Sequence, residues 1–113
     1  EHVSREIVYE TTATAPPEEL HRFFLACRED GFQPARRRLR ELLDRFGLAG
    51  TDLVNQLHRG LGDVPFLTES QKLSVTQTMA EADFRMVEGG GEALQLDAMT
   101  ARLCTLLSPE LKS

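Results

Sequence analysis

Apolar residues recur along this chain at helical spacing, and nowhere do they alternate with polar ones over the length of a strand. Leu20, Phe23, Phe24 and Cys27 fall at i, i+3, i+4 and i+7 and so share one face. Ahead of them Pro16, Pro17, Glu18 and Glu19 make a helix start. Proline is tolerated in the first turn, and acids suit the positive end of the macrodipole. Gly31 stops that segment. Pro34 opens the next, where Leu39, Leu42, Leu43 and Phe46 repeat the spacing before Gly47, the expected C-terminal glycine. Gly50, Thr51 and Asp52 start a third helix that carries Leu53, Val54, Leu57 and Leu61 to Gly62, with Pro65 marking the break. Thr68-Glu69-Ser70-Gln71 predicts a capping box. The fourth helix runs from there to about Glu88, with Leu73, Thr76, Met79, Ala80 and Val87 expected inward. A fifth carries Leu96, Met99, Leu103, Leu106 and Leu107 before Ser108-Pro109 ends it.

The pattern predicts an all-α, five-helix, bundle-like domain over residues 16–113, with short connections that make neighbouring helices antiparallel. Residues 1–15 read differently. Glu1 to Tyr9 suits a turn or two of helix, and Thr11 to Ala15 an extended connector, as in the tail of something upstream. A first residue that is not methionine fits a piece of a longer protein. The whole chain, at 113 residues, is one domain's worth.

Composition narrows the function classes. A hydrophobic fraction of 41% with 27% charged residues is that of a globular chain rather than a disordered one. The formal net charge of −5 argues against a surface built throughout for phosphate backbones. Cys27 and Cys104 each sit in an apolar stripe, where cysteine behaves as a small hydrophobe, and a reducing, cytoplasmic compartment is expected. No apolar run approaches membrane-spanning length, so no membrane partner is expected.

Catalytic and metal candidates are sparse. His2, His21 and His58 have no partner at ligand spacing, and the serines lack a nucleophile context. Gly89-Gly90-Gly91 follows a helix rather than a strand, lacks the P-loop lysine, and is flanked by Glu88 and Glu92, which repel phosphate. A helix-to-helix turn is expected there, and neither a metal nor a cofactor.

Two polar groups remain. Arg36, Arg37, Arg38 and Arg40 form a basic run that suits either an acidic or nucleic-acid partner or a solvated helix face. The Arg37–Glu41 and Arg40–Asp44 spacings favour the solvated face, each such pair adding a few tenths of a kcal/mol. Asp83, Phe84, Arg85, Glu88, Glu92 and Gln95 cluster about the glycine turn. They are expected either to brace it, with Arg85 or Gln95 partnering Asp83, or to meet a neighbouring subunit. Ile7, Phe66, Phe84 and Leu94 are further apolar positions available to neighbours.

The stretch from Asp83 to Ala98, Asp-Phe-Arg-Met-Val-Glu-Gly-Gly-Gly-Glu-Ala-Leu-Gln-Leu-Asp-Ala, resembles the DYR-L-x-EGANE-x-x-QL-E-A-L segment of archaeal replication factor C small subunits, in their C-terminal collar domain. Gly47 to Leu53 is similar to that family's GLSGEDI, and Gln56-Leu57-His58-Arg59 to its QLHR. Ile7-Val8-Tyr9, Thr11 to Ala15 and Pro17-Glu18-Glu19 resemble its passage from an AAA+ lid into the collar. The chain departs from the pattern at Gly90 and Gly91, where the family usually has alanine and asparagine.

The resemblance implies an oligomerisation domain that holds small and large subunits in a pentameric clamp loader. Such a loader opens the sliding clamp and places it on primer–template DNA. It also implies that ATP and Mg belong to AAA+ domains absent here. Two alternatives stand beside it: a helical interaction module of another multidomain protein, and a DNA-contacting domain using Arg36 to Arg40.

Overall fold

The structure is a computed structural model that describes residues 14–109. Most of the expected tail lies outside the described residues, and Ile7 with it. Five α-helices follow one another: α1 (Pro17–Glu29), α2 (Phe32–Phe46), α3 (Gly50–Gly60), α4 (Glu69–Val87) and α5 (Glu92–Leu107). A 3-10 turn, Leu61–Asp63, extends α3, and no strand occurs among the described residues. The fold is all-α, as the apolar spacing predicts.

Local chemistry sets the boundaries. Pro17 occupies the first turn of α1, followed by Glu18 and Glu19. Helix α2 begins at Phe32, two residues before Pro34. Proline marks a first turn rather than a first residue, because none of the first N–H groups has an intrahelical acceptor. Gly47 ends α2 in the left-handed region at φ 63°. At the start of α4 the capping box is complete: Thr68 Oγ1 accepts from the Gln71 N–H at 3.1 Å, and Gln71 Oε1 accepts from the Thr68 N–H at 2.9 Å.

Helix α5 is the centre of the bundle and packs against all four other helices. Helix α2 lies on α1 and α5, whereas α4 lies on α3 and α5. Helices α2 and α4 therefore form separate flanks. Phe23, Phe24, Leu39, Leu42, Leu53, Leu57, Met79 and Leu103 are buried between the layers. Ala15, at the edge of the expected tail, is buried too, and its N–H donates to Gln56 Oε1 at 2.8 Å. The packed unit thus includes Ala15, one residue before Pro16.

One face departs from expectation. Helix α4 buries Val75, Met79 and Ala82, with Met86 partly covered. Of the five positions expected inward only Met79 is buried. Leu73 and Val87 are 63% and 69% exposed, Ala80 is exposed, and Thr76 is half-buried. Both sets have helical spacing, so periodicity alone could not choose between them. The buried set is the one that meets α3 and α5.

Candidate functional site

The glycine turn is built by backbone hydrogen bonds. The Glu88 N–H donates to Phe84 O at 2.9 Å, and the Gly90 N–H donates to Arg85 O at 2.8 Å. Gly89 carries the reversal at φ 105°, a conformation that favours glycine. A Cβ on Gly90 would lie 2.8 Å from Arg85 O and 3.1 Å from Gln95 Nε2, so the chain there passes close over both.

The side chains around the turn do not brace it as expected. Arg85 turns back along its own helix to Glu81, with Nη2 to Oε2 at 2.7 Å. Asp83 is half-buried and makes no side-chain hydrogen bond or ion pair among the described residues. Glu88 and Glu92 are exposed. An i, i+4 partner on the same face was nearer to Arg85 than Asp83, two residues away, whose side chain points elsewhere round the helix. Arg85 and Gln95 do share a groove of about 430 Å³ between α4 and α5, together with Ser74, Gln77 and Arg102.

Phe84 is 63% exposed and continues a second apolar stripe on α4, formed by Leu73, Ala80, Phe84 and Val87. Leu94, in the first turn of α5, is 68% exposed. Phe66 does not belong with them. It is partly buried against the core, with the Arg28 guanidinium 5.6 Å from its ring centre.

The basic run is drawn into contacts between helices. Arg36 Nε reaches Asp97 Oδ2 at 3.1 Å, and Arg40 Nη2 reaches the same oxygen at 3.0 Å. Arg38 lies 3.9 Å from Glu19, as do Arg45 at 3.7 Å and Arg22 at 3.6 Å. Arg37 is exposed and has no ion-pair partner among the described residues. The expected Arg37–Glu41 and Arg40–Asp44 pairs are absent among those residues. A carboxylate on α5 that accepts two charge-assisted bonds outcompetes a neighbour on the same solvated face. Nothing in the local pattern marked Asp97 or Glu19 as partners, because the contacts span up to 61 residues.

Cys27 and Cys104 are buried, free and adjacent. The hydrogen bond with Cys104, and then burial, push the Cys27 thiol well above the ordinary thiol range. Among the described residues no group of three or more His, Cys, Asp or Glu could hold a metal ion. No helix is long and apolar enough to cross a membrane.

Comparison with known proteins matches residues 15–102 to the replication factor C C-terminal domain. A replication factor C small subunit of Archaeoglobus fulgidus is 38% identical over 106 residues, covering 94% of this chain and 33% of that protein. Those of Methanocella arvoryzae and Natronomonas pharaonis are 33% and 38% identical, over 88% and 89% of this chain. The chain spans about a third of the length of these relatives.

Proposed function

The chain belongs to the replication factor C C-terminal domain family, and from that premise we propose that it is the collar of a clamp-loader small subunit. In this role it holds small and large subunits in a pentameric ring that places the sliding clamp on primer–template DNA. ATP and Mg belong to the remaining two thirds of the full-length protein, so the chemistry is done there and the collar supplies assembly. The same reading puts the assembled loader in the cytoplasm of an archaeal cell.

The observation that carries the proposal is the second apolar stripe of α4. A helix whose inner face already fills the core has no internal use for Leu73, Phe84 and Val87 on its outside. Exposed apolar side chains lined up along one helix are a contact surface. Asp83, Arg85, Glu88, Glu92 and Gln95 frame its C-terminal end, and we assign them, with Phe84, to the edge of a subunit interface.

The test is assembly of the full-length small subunit, with and without residues 16–113, followed by size-exclusion chromatography with light scattering. Loss of the multimer on deletion is expected. Assembly that survives deletion unchanged would overturn the collar role.

A further inference from the structure

Helix α4 carries two apolar stripes where its own core uses one. At about 100° per residue, Leu73, Ala80, Phe84 and Val87 centre roughly 140° away from Val75, Met79, Ala82 and Met86. Acids flank this outer stripe. From Glu69 to Glu92 there are five, Glu69, Glu81, Asp83, Glu88 and Glu92, against only Lys72 and Arg85.

The other flank has the opposite character. Helix α2 holds five arginines, Arg36, Arg37, Arg38, Arg40 and Arg45, against Glu41 and Asp44. Arg22, Arg38 and Arg45 all surround the single Glu19 carboxylate, so positive charge is left over there. Arg38, Arg45 and Leu42, with Glu41 and Asp44, line a concavity of about 380 Å³ on this flank, so its positive charge comes from the flank as a whole rather than from the hollow itself. Arginine stems give such a hollow apolar walls under a charged rim.

Building on the assembly role above, we propose that the outer stripe of α4 in one copy docks on the α2 flank of a second copy, head to tail. The two flanks are separated by α5, they differ in shape, and their charges are opposite. A surface of one kind at each side is what a ring of successive subunits requires. Pairing two α4 stripes with each other would instead bring the acidic borders of both copies together.

The experiment uses two variants of the full-length small subunit. One carries Leu73→Glu and Phe84→Glu, the other Arg37→Glu and Arg45→Glu. All four side chains are exposed, and circular dichroism checks that each variant keeps its helices. Sedimentation should show self-association weakened at least about tenfold in each variant alone. An equimolar mixture should regain association but stop at a one-to-one pair, because each variant keeps one working flank. A mixture that stays monomeric overturns the docking mode, and so does an α2 variant that associates like the wild type. If that α2 variant instead loses salt-dependent affinity for a primer–template duplex, the basic flank serves nucleic acid and the docking mode falls. The deletion of residues 16–113 separates the two claims. If deletion abolishes assembly while the four substitutions do not change it, the docking mode fails and the collar role stands.

Discussion

Arg40 closes on Asp97 through both carboxylate oxygens, at 3.3 and 3.0 Å, and Arg36 adds a third contact at 3.1 Å. Three donor contacts on one carboxylate tie the Arg36–Arg40 turn of α2 to the central helix. The basic run is therefore structural before it is anything else. Its leftover charge, at Arg37 and around Glu19, is a consequence of more arginines than acids rather than of an unpaired cluster.

This joint predicts a graded response. Asp97→Ala should cost about 1 kcal/mol, because it strands two partly covered guanidiniums that still reach water. Arg37→Ala should stay within about 0.5 kcal/mol, as a surface change without a partner. Urea unfolding of the three proteins checks both values. Raising the salt should shrink the Asp97 effect, since partly exposed pairs are screened.

The glycine turn predicts effects of opposite sign two residues apart. Gly89→Ala should destabilise by about 1 kcal/mol or more, because φ 105° is hostile to any residue with a Cβ. Gly91 caps α5 with no side-chain bond, in an extended conformation with open space around it. Gly91→Asn should therefore stabilise by a few tenths of a kcal/mol, its side chain accepting from an unpaired N–H of the first turn. Thermal melts of the pair give the comparison. Equal shifts would show that the turn relaxes as a unit.

The buried thiol at Cys27 makes stability pH-dependent on the alkaline side. Its ordinary value is about 9, and the folded state holds it far higher. Its contribution is fully present below the unfolded value and is lost as pH rises above about 9, where the unfolded chain alone releases the proton. The same hydrogen bond lowers the Cys104 thiol and opposes the decline, so the slope from the pair is at most about 1.4 kcal/mol per pH unit. Denaturation between pH 8 and 10.5 should show this decline, and Cys27→Ala should flatten it. An identical slope in the variant would count against the thiol as its source.

Much of the architecture was legible because it is punctuated. Pro17, Gly31, Gly47 and Thr68 mark ends through chemistry local to the backbone, and the helices start or stop at or beside them. The Phe32 start was missed because Pro34 is compatible with any place in a first turn. The ion pairs of the α2 arginines were illegible for a different reason. Sequence spacing shows only neighbours on one helix, whereas Asp97 and Glu19 come to the arginines through tertiary packing. Phe84 and Leu94 stood out as apolar residues beyond the core stripes and are exposed. Phe66 stood out equally and is half-covered beneath Arg28. The family was carried by short motifs in order, which need no geometry to be read.

The face of α4 is the most demanding case, and it yields the sharpest stability contrast. Two apolar stripes share the helix, and only packing against α3 and α5 decides which is core. Met79 is buried and Leu73 is 63% exposed, although both were expected inward. Met79→Ala removes buried methylenes and leaves a cavity the surrounding helices cannot wholly fill, so it should cost about 2–4 kcal/mol. Leu73→Ala in the isolated 113-residue domain should change stability by no more than about 0.5 kcal/mol. Urea titrations at low protein concentration, where self-association is negligible, make the comparison. Comparable losses at both positions would mean that the outer stripe is covered within one chain, and it would then not be free for a neighbour.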